Sequence, residues 1–253
     1  MSDTTKECFN KYIGKEFDTN QSGKCFVINY KSGKEVTVMF YDGYYVTTQM
    51  SNVRKGTVKN PFSKSARFHG FGVTDVPAMV SGSRNKYARL WESMITRVLS
   101  GRDKAYSNVE IQEDWALLSN FLRDISEFKG YDKVLSDKWV LDKDILSLGN
   151  KIYSKDTCCF VPRELNAFMI NYNKPKGDYA IGVHFCNREK KYVAQAYKDA
   201  KQRFLGYYDS EQEAHKVYMK SKQDQLTEIL NKYGEELDTR VVVSLKEKFK
   251  LID

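Results

Sequence analysis

The chain contains 253 residues, with 41 lysines and arginines against 33 aspartates and glutamates, and its formal charge is +8. With 41% hydrophobic residues the composition excludes a disordered chain, and no stretch approaches the roughly 18 consecutive apolar residues that a membrane-spanning helix requires. A positive charge of this size predicts a polyanionic partner, because Lys and Arg side chains that neutralise phosphates release counterions.

The first part of the chain is predicted to form a short antiparallel meander. Three runs rich in Val, Ile, Phe and Tyr predict strands, at 24–30, 35–40 and 44–48. Turn residues separate the three runs, so a small β-barrel-like module is expected over 1–61. Residues 52–61 are expected to be extended, and the segment 62–83, which carries Gly and Ser, is expected to be a linker.

The excess of positive charge is concentrated in residues 43–74, which contain no acidic residue. Aromatic side chains lie among the cations of this stretch, which are Arg54, Lys55, Lys59, Lys64 and Arg67. Basic residues interleaved with aromatic residues suit a surface that follows a phosphate backbone, so these five are predicted to contact phosphates. An ordinary solvated basic loop is the alternative interpretation.

After residue 84 the apolar residues recur with the period of a helix. One apolar stripe runs from Tyr87 to Leu99 and a second from Trp115 to Phe128, with an extended piece at 109–111 between them. Because amphipathic helices bury such stripes, we expect two helices whose apolar residues belong to the core.

The segment 139–166 combines strands, a helix and oxygen-bearing side chains. The predicted elements are a strand at 139–141, a second strand around 151–153 and a helix that begins at Pro162. Asp142 and Asp144 follow the first strand, and Asn166 lies one turn into the helix. Carboxylate and amide oxygens that converge are suitable ligands for Mg²⁺.

This segment resembles the HNH endonucleases of the ββα-metal fold, especially the phage-borne proteins that are like homing endonucleases. The matching positions are those of the family's Asp, its Gly-Asn turn, its middle element and its closing Asn, here Asp142, Gly149, Asn150, Tyr153, Ser154 and Asn166. Lys143 stands where the family has its general-base His. An ammonium group with a reference pKa of about 10.4 does not accept a proton from water near pH 7 unless it is strongly desolvated. The resemblance therefore implies a degenerate motif.

The resemblance leaves four candidate catalytic residues, Asp142, Lys143, Asp144 and Asn166. In an active nuclease Asp142, Asp144 and Asn166 would hold Mg²⁺; otherwise no cofactor is expected. The three histidines of the chain are not obvious replacements for the missing base, since each lies in another segment, and they are His69, His184 and His215.

The last region is predicted to form a three-stranded antiparallel sheet followed by a helix. The strands are expected at 179–185, 191–197 and 203–208. Ser210 and Glu213 have the S-x-x-E spacing of a capping box, which marks the start of the helix. A further short strand is expected at 240–244.

The same region resembles the Apetala-type (ethylene-response-factor-like) DNA-binding domain, which phage homing endonucleases also carry. The matching segments are 182–183, 191–197, 205–208 and 210–218. In that family the sheet lies in the major groove, which implies contacts to bases from His184, Gln195, Tyr197, Gln202 and Phe204. It implies phosphate contacts from Arg188, Lys190, Lys191 and Arg203. A purely structural sheet is the alternative.

Together these predictions describe an α+β protein: a β-barrel-like module at 1–61, a linker at 62–83, a helical and degenerate HNH-like module at 84–173, and an Apetala-like domain at 174–253. The resemblances imply a sequence-specific double-stranded DNA-binding protein that acts by occupancy as a transcriptional repressor, in the cytoplasm of a bacterial host, on nucleoid or phage DNA. An active Mg²⁺-dependent nuclease and a module that opposes a phage or host factor are the alternatives. No membrane partner is expected, and the sequence leaves open whether the chain forms a homodimer.

Overall fold

The computed structural model describes residues 11–80, 82–136, 138–147, 149–173, 178–198 and 201–251. These residues form an α+β protein, as predicted. The chain divides into two units, Met1–Arg123 and Asp124–Asp253. Within the described ranges, no helix has both the length and the apolar character that crossing a membrane requires.

The first unit begins with a four-stranded antiparallel sheet whose strands are paired in chain order. The strands are β1 (Glu16–Asp18), β2 (Lys24–Ser32), β3 (Glu35–Phe40) and β4 (Tyr45–Thr48). Alternate side chains of β2 and β3 form the core, including Cys25, Val27, Val36 and Val38. The edge strands β1 and β4 are not paired with each other among the described residues, so this sheet is an open meander and no barrel is closed.

A short helix follows the sheet where the sequence predicted extended chain. Helix α1 (Met50–Arg54) buries Met50 and Val53, which lie three residues apart and therefore on one face of a helix, against the core of the sheet. The prediction of extended chain from residue 52 was wrong at this point because packing of that apolar pair favours the helical conformation.

The segment predicted to be a linker contains short elements of its own. They are a 3₁₀ helix at Lys64–Ala66 and the paired strands β5 (Met79–Val80) and β6 (Ser83–Arg84). Val73 is buried, and its backbone bonds to both Ala116 and Leu118. Part of this segment is therefore packed against the helical part of the first unit.

The two predicted amphipathic helices are present. Helix α2 (Lys86–Leu99) begins at the N-cap Asn85, and helix α3 (Leu118–Ser126) follows 3₁₀ turns at Lys104–Tyr106 and Glu113–Ala116 and the strand β7 (Glu110–Ile111). Trp91 is buried and its indole N–H donates a hydrogen bond to the carbonyl oxygen of Trp115 at 2.7 Å. Both apolar stripes thus belong to the core, as predicted, except at Leu99, which is 44% exposed.

The second unit opens with a strand, strand, helix arrangement. After a 3₁₀ helix at Asp132–Ser136 come β8 (Trp139–Asp142), β9 (Ile152–Tyr153), β10 (Cys159–Pro162) and helix α4 (Arg163–Asn173). Strand β8 pairs antiparallel with β10, and Asp142 lies opposite Cys159. The sequence reasoning missed β10 because all four of its residues are buried, so it has no alternating polar pattern.

The rest of the second unit is a three-stranded antiparallel sheet with two helices. The elements are β11 (Val183–Cys186), β12 (Lys191–Lys198), β13 (Lys201–Tyr208), α5 (Glu211–Tyr233) and α6 (Thr239–Phe249). The Ser210 hydroxyl accepts a hydrogen bond from the Glu213 backbone N–H, as the capping box predicted.

The strand predicted at 240–244 was wrong, since these residues belong to α6. Val241, Leu245 and Phe249 are spaced four residues apart and are all buried, which is the pattern of a helix packed on one face. The carboxylate of Asp238 accepts a hydrogen bond from the Arg240 N–H and caps the first turn.

Candidate nucleic-acid interface

The sheet of β11, β12 and β13 has one face covered by a helix and one face open. Val183 and Ala194 pack with Ala214 of α5, so they point to the helix side. Successive residues of a strand point to opposite faces, and His184 and Gln195 directly follow these two buried residues. They therefore lie on the face away from α5.

Strand pairing places the other predicted base contacts on the same open face. Gln195 is opposite Phe204, and Tyr197 is opposite Gln202. Cross-strand partners share a face, so these four residues and His184 form one surface. Phe204 and Tyr197 are 57% and 45% exposed, so this surface presents aromatic rings to the solvent.

Polar and aromatic contacts organise this surface, which we call the open sheet face. The side-chain amide of Gln202 donates a hydrogen bond to the amide oxygen of Gln195. The rings of Phe204 and Tyr207 meet edge to face with their centroids 5.0 Å apart. The amides and rings hold one another in place, which lowers the entropy cost of contacting a groove.

Three of the four cations predicted to contact phosphates lie in or beside the turn between β11 and β12, and they are Arg188, Lys190 and Lys191. Arg188 pairs with Glu189 at 2.7 Å, and Lys191 pairs with Asp209 at 3.1 Å. Exposed ion pairs of this kind contribute little, typically about 0–1 kcal/mol, so both cations can exchange their partners for phosphates. Lys190 is exposed and adopts a left-handed conformation (φ 50°) in that turn. Arg203 is also exposed, but it is opposite the buried Ala196 and so points to the side of the sheet that α5 covers, which does not agree with its predicted place beside the bases.

A close contact between a glycine and a tyrosine fixes the start of β11. Gly182 has φ +81°, and a Cβ atom at this position would lie 2.1 Å from Cδ2 of Tyr218 on α5. The ring nitrogen Nδ1 of His215, which is stacked near Tyr218, is 3.0 Å from the carbonyl oxygen of Ile181. His215 thus anchors this backbone, while His69 interacts with Thr96 and Phe68 in the first unit.

The five predicted cations of the first unit are solvent-exposed, although apolar residues of the same stretch are buried. Arg54 and Lys55 lie at the end of α1, Lys64 begins a 3₁₀ helix, and all five predicted cations are exposed. Within the described ranges none of the five forms an ion pair, whereas Lys24 and Lys31 of the same unit do. Arg54 donates a hydrogen bond to the hydroxyl of Tyr12 at 2.6 Å, which restrains its guanidinium.

The carboxylate of Asp142 stabilises the loop that follows β8. Its Oδ1 atom accepts hydrogen bonds from the backbone N–H groups of Asp144 and Ile145, both at 2.8 Å. Burial raises the pKa of Asp142 above its ordinary value, although these two hydrogen bonds act in the opposite direction. Asp142 thus has a local structural function in this loop.

Lys143 places an ammonium group among the oxygens of the same loop. Its side chain is 8% exposed, and Nζ lies 2.6 Å from Oδ1 of Asp144 and 2.9 Å from the carbonyl oxygen of Asn150. The Asn150 amide group donates to the carbonyl oxygens of Lys143 and Ile152 in turn. The loop is therefore closed by a compact network around a cation supplied by the chain.

Helix α6 contributes a second cation, which the sequence reasoning missed. Burial lowers the pKa of Lys248, while the carboxylates of Asp142 and Asp144 oppose that shift. The helix also contacts the loop through Ser244, whose hydroxyl donates to the carbonyl oxygen of Ile145 at 2.8 Å. The only available sequence signal was the amphipathic spacing of α6, which does not reveal its position against this loop.

The four candidate catalytic residues are only partly brought together. Asp142, Lys143 and Asp144 share the loop, whereas Asn166 lies in α4 and makes no side-chain hydrogen bond to either carboxylate in the described part of the chain. Within that part no three His, Cys, Asp or Glu side chains are grouped as a metal site. Since Asp142 binds backbone N–H groups and Asp144 binds an ammonium, this arrangement does not fit a divalent cation.

Comparison with known proteins yields no match, whether to a family model, to a curated protein or to a solved structure.

Proposed function

We propose that the chain is a sequence-specific double-stranded DNA-binding protein that acts by occupancy, as a transcriptional repressor does. The observation that carries the proposal is the open sheet face, where five polar and aromatic side chains lie on one side of three strands. A β-ribbon of this width fits the major groove, and Gln side chains can pair with the N6 and N7 edge of adenine.

The distribution of positive charge supports the same proposal. Cations border the open sheet face, and a second set of exposed cations lies in the first unit. Contacts from both units to phosphates would supply affinity without sequence preference, while the open sheet face would supply the discrimination among bases. Two contact regions on one chain suit a long recognition site.

The central loop supports occupancy over cleavage. The resemblance to HNH nucleases leads one to expect a His beside the Asp, and Lys143 instead forms an ion pair with Asp144. An ammonium group held in this way does not activate water. We infer that the loop and α6 now stabilise the fold of the second unit.

The proposal is tested by selecting bound duplexes from a random or genomic DNA pool and then measuring repression of a reporter whose promoter contains the selected site. The expected result is one enriched sequence and repression that depends on that sequence. An enriched sequence that gives no repression would remove the repressor part of the proposal and keep the DNA-binding part. Absence of any DNA binding at low salt would favour a protein-interaction module.

A Mg²⁺-dependent nuclease is the second candidate, favoured by the strand, strand, helix order of β8, β10 and α4. Incubation of the selected DNA with Mg²⁺ tests it, together with the variants Asp142→Ala and Asp144→Ala. Cleavage by the natural chain that both variants lose would establish the nuclease. Binding without cleavage by all three proteins is the result that our proposal requires.

A further inference from the structure

A cavity of about 320 Å³ opens beside the open sheet face. Its rim includes His184, Gln195, Tyr197 and Gln202, which are the residues proposed to contact bases. Its floor includes Tyr218 and Lys222 of α5. The cavity is large enough for one small ligand, since pockets for such molecules start at roughly 300 Å³.

The walls of the cavity suit a planar ring with polar edges. Tyr179 and Tyr197 are partly exposed aromatic side chains at its mouth, and Tyr218 is a buried one at its floor. The hydrogen bond between Gln202 and Gln195 uses one donor and one acceptor. It leaves the NH₂ group of Gln195 and the carbonyl oxygen of Gln202 as a donor and an acceptor for a ligand.

Lys222, a buried lysine of α5, is among the residues that line the same cavity. Lys222 is 1% exposed, and its Nζ atom lies 3.8 Å from the centroid of the Phe168 ring and 3.4 Å from Oε1 of Gln225. An anionic group bound beside Lys222 would experience a strong attraction, because the surroundings are shielded from water. Aromatic rings suit the faces of a base, amide groups suit its polar edges, and a buried lysine suits a phosphate. The lining of the cavity is therefore complementary to a nucleotide.

We propose that this cavity binds one nucleotide, with the base between the tyrosines and the phosphate near Lys222. The nucleotide has two sources, a free deoxynucleoside monophosphate or a nucleotide turned out of bound DNA. In both cases the ligand shares Gln195 and Gln202 with the open sheet face. A free nucleotide therefore competes with DNA, whereas an extruded one strengthens DNA binding. The second source rests on the proposed DNA-binding function, and the first does not.

Calorimetric titration tests the first source, with deoxyadenosine and thymidine 5′-monophosphates as probes and the corresponding nucleosides as controls. Saturable binding of a monophosphate is expected, weakened about tenfold in Lys222→Met. Lys220→Met is the matched control, because Lys220 is an exposed lysine on the same helix and should leave binding unchanged. Met keeps the apolar stem of the buried lysine, and a circular dichroism melt verifies that each variant is folded.

The second source is tested with duplexes that carry 2-aminopurine at successive positions of the selected site. Its fluorescence is expected to rise on binding at one position with the natural chain and Lys220→Met, and not with Lys222→Met. Failure of both arms, or equal behaviour of the two lysine variants, would overturn the nucleotide site. Monophosphate binding by a chain that does not bind duplex DNA would overturn the proposed function alone.

Discussion

The ammonium Nζ atom of Lys143 lies 2.6 Å from the carboxylate oxygen Oδ1 of Asp144, and the lysine is almost fully buried while the aspartate is half exposed. The carboxylate can be hydrated and the ammonium cannot. The ion pair therefore serves mainly to give the buried ammonium of Lys143 a partner. The carbonyl oxygen of Asn150 completes that environment. Lys143 is therefore a structural part of the loop.

Replacing Lys143 with Met should therefore destabilise the protein. The variant leaves the partly buried carbonyl oxygen of Asn150 without its donor, which costs about 1 kcal/mol. Urea denaturation followed by circular dichroism measures the change in the free energy of unfolding. Lys151→Met is the control, because Lys151 is exposed and its replacement should change that energy by less than about 0.5 kcal/mol. Equal effects of the two substitutions would contradict a structural function for Lys143.

The buried carboxyl of Asp142 predicts a dependence of stability on pH. Its pKa is raised in the folded chain above the ordinary value of 3.8, so folding favours the protonated form. The contribution of this group is fully present below pH 3.8 and is lost as the pH rises through the raised pKa. Asp142→Asn keeps an oxygen acceptor without the charge, and we expect it to be more stable than the natural chain at pH 7.

Denaturation of both proteins between pH 4 and pH 7 measures this effect, and the advantage of Asp142→Asn should shrink toward the acid end. Asp142→Ala is the matched control, since it loses the acceptor for two backbone N–H groups and should cost about 0.5–2 kcal/mol. A constant difference between Asn and Asp across this range would show that the carboxyl does not titrate differently in the folded chain.

Local sequence signals predicted much of the fold. The Ser210 cap, the stripes of α2 and α3 and most strands follow from residues that are neighbours along the chain. The predictions failed where distant packing decides. Strand β10 is buried on both faces, and the consecutive valines at 241–243 favour a strand locally, yet α6 forms because one side packs in the core.

The candidate site also has a part that could be predicted from the sequence and a part that depends on distant packing. The resemblance predicted Gln195, Tyr197, Gln202 and Phe204 as base contacts, and the strand pairing places these four on one face. No local pattern predicts that Lys248 lies near Asp142, or that Lys222 lines a cavity beside the sheet. Such contacts depend on how helices dock, which is fixed by the whole core.

The exposed cations of the first unit predict how DNA affinity depends on salt. Replacing Lys55, Lys59 and Lys64 with Gln should weaken binding to all sequences equally and make the plot of log affinity against log salt shallower. Each phosphate contact that is removed lowers the slope by about 0.9. Fluorescence anisotropy at several salt concentrations measures it. Lys31→Gln is the control, because Lys31 is an exposed lysine of the same unit that lies outside the acid-free stretch 43–74 and should leave the slope unchanged. An unchanged slope in the triple variant would exclude this stretch from the interface.

Variants of the open sheet face should lose discrimination among DNA sequences and keep their general affinity for DNA. Gln195→Ala and Gln202→Ala remove amides that can pair with base edges, so each should cost about 1–3 kcal/mol on the selected site. Binding to unrelated DNA should stay the same, because phosphate contacts supply it. Anisotropy with both duplexes measures the ratio of affinities. Gln212→Ala is the matched control, because Gln212 is exposed on α5 and lies outside the sheet. If all three variants kept the natural ratio, the sheet would be structural and the bases would be read elsewhere on the chain.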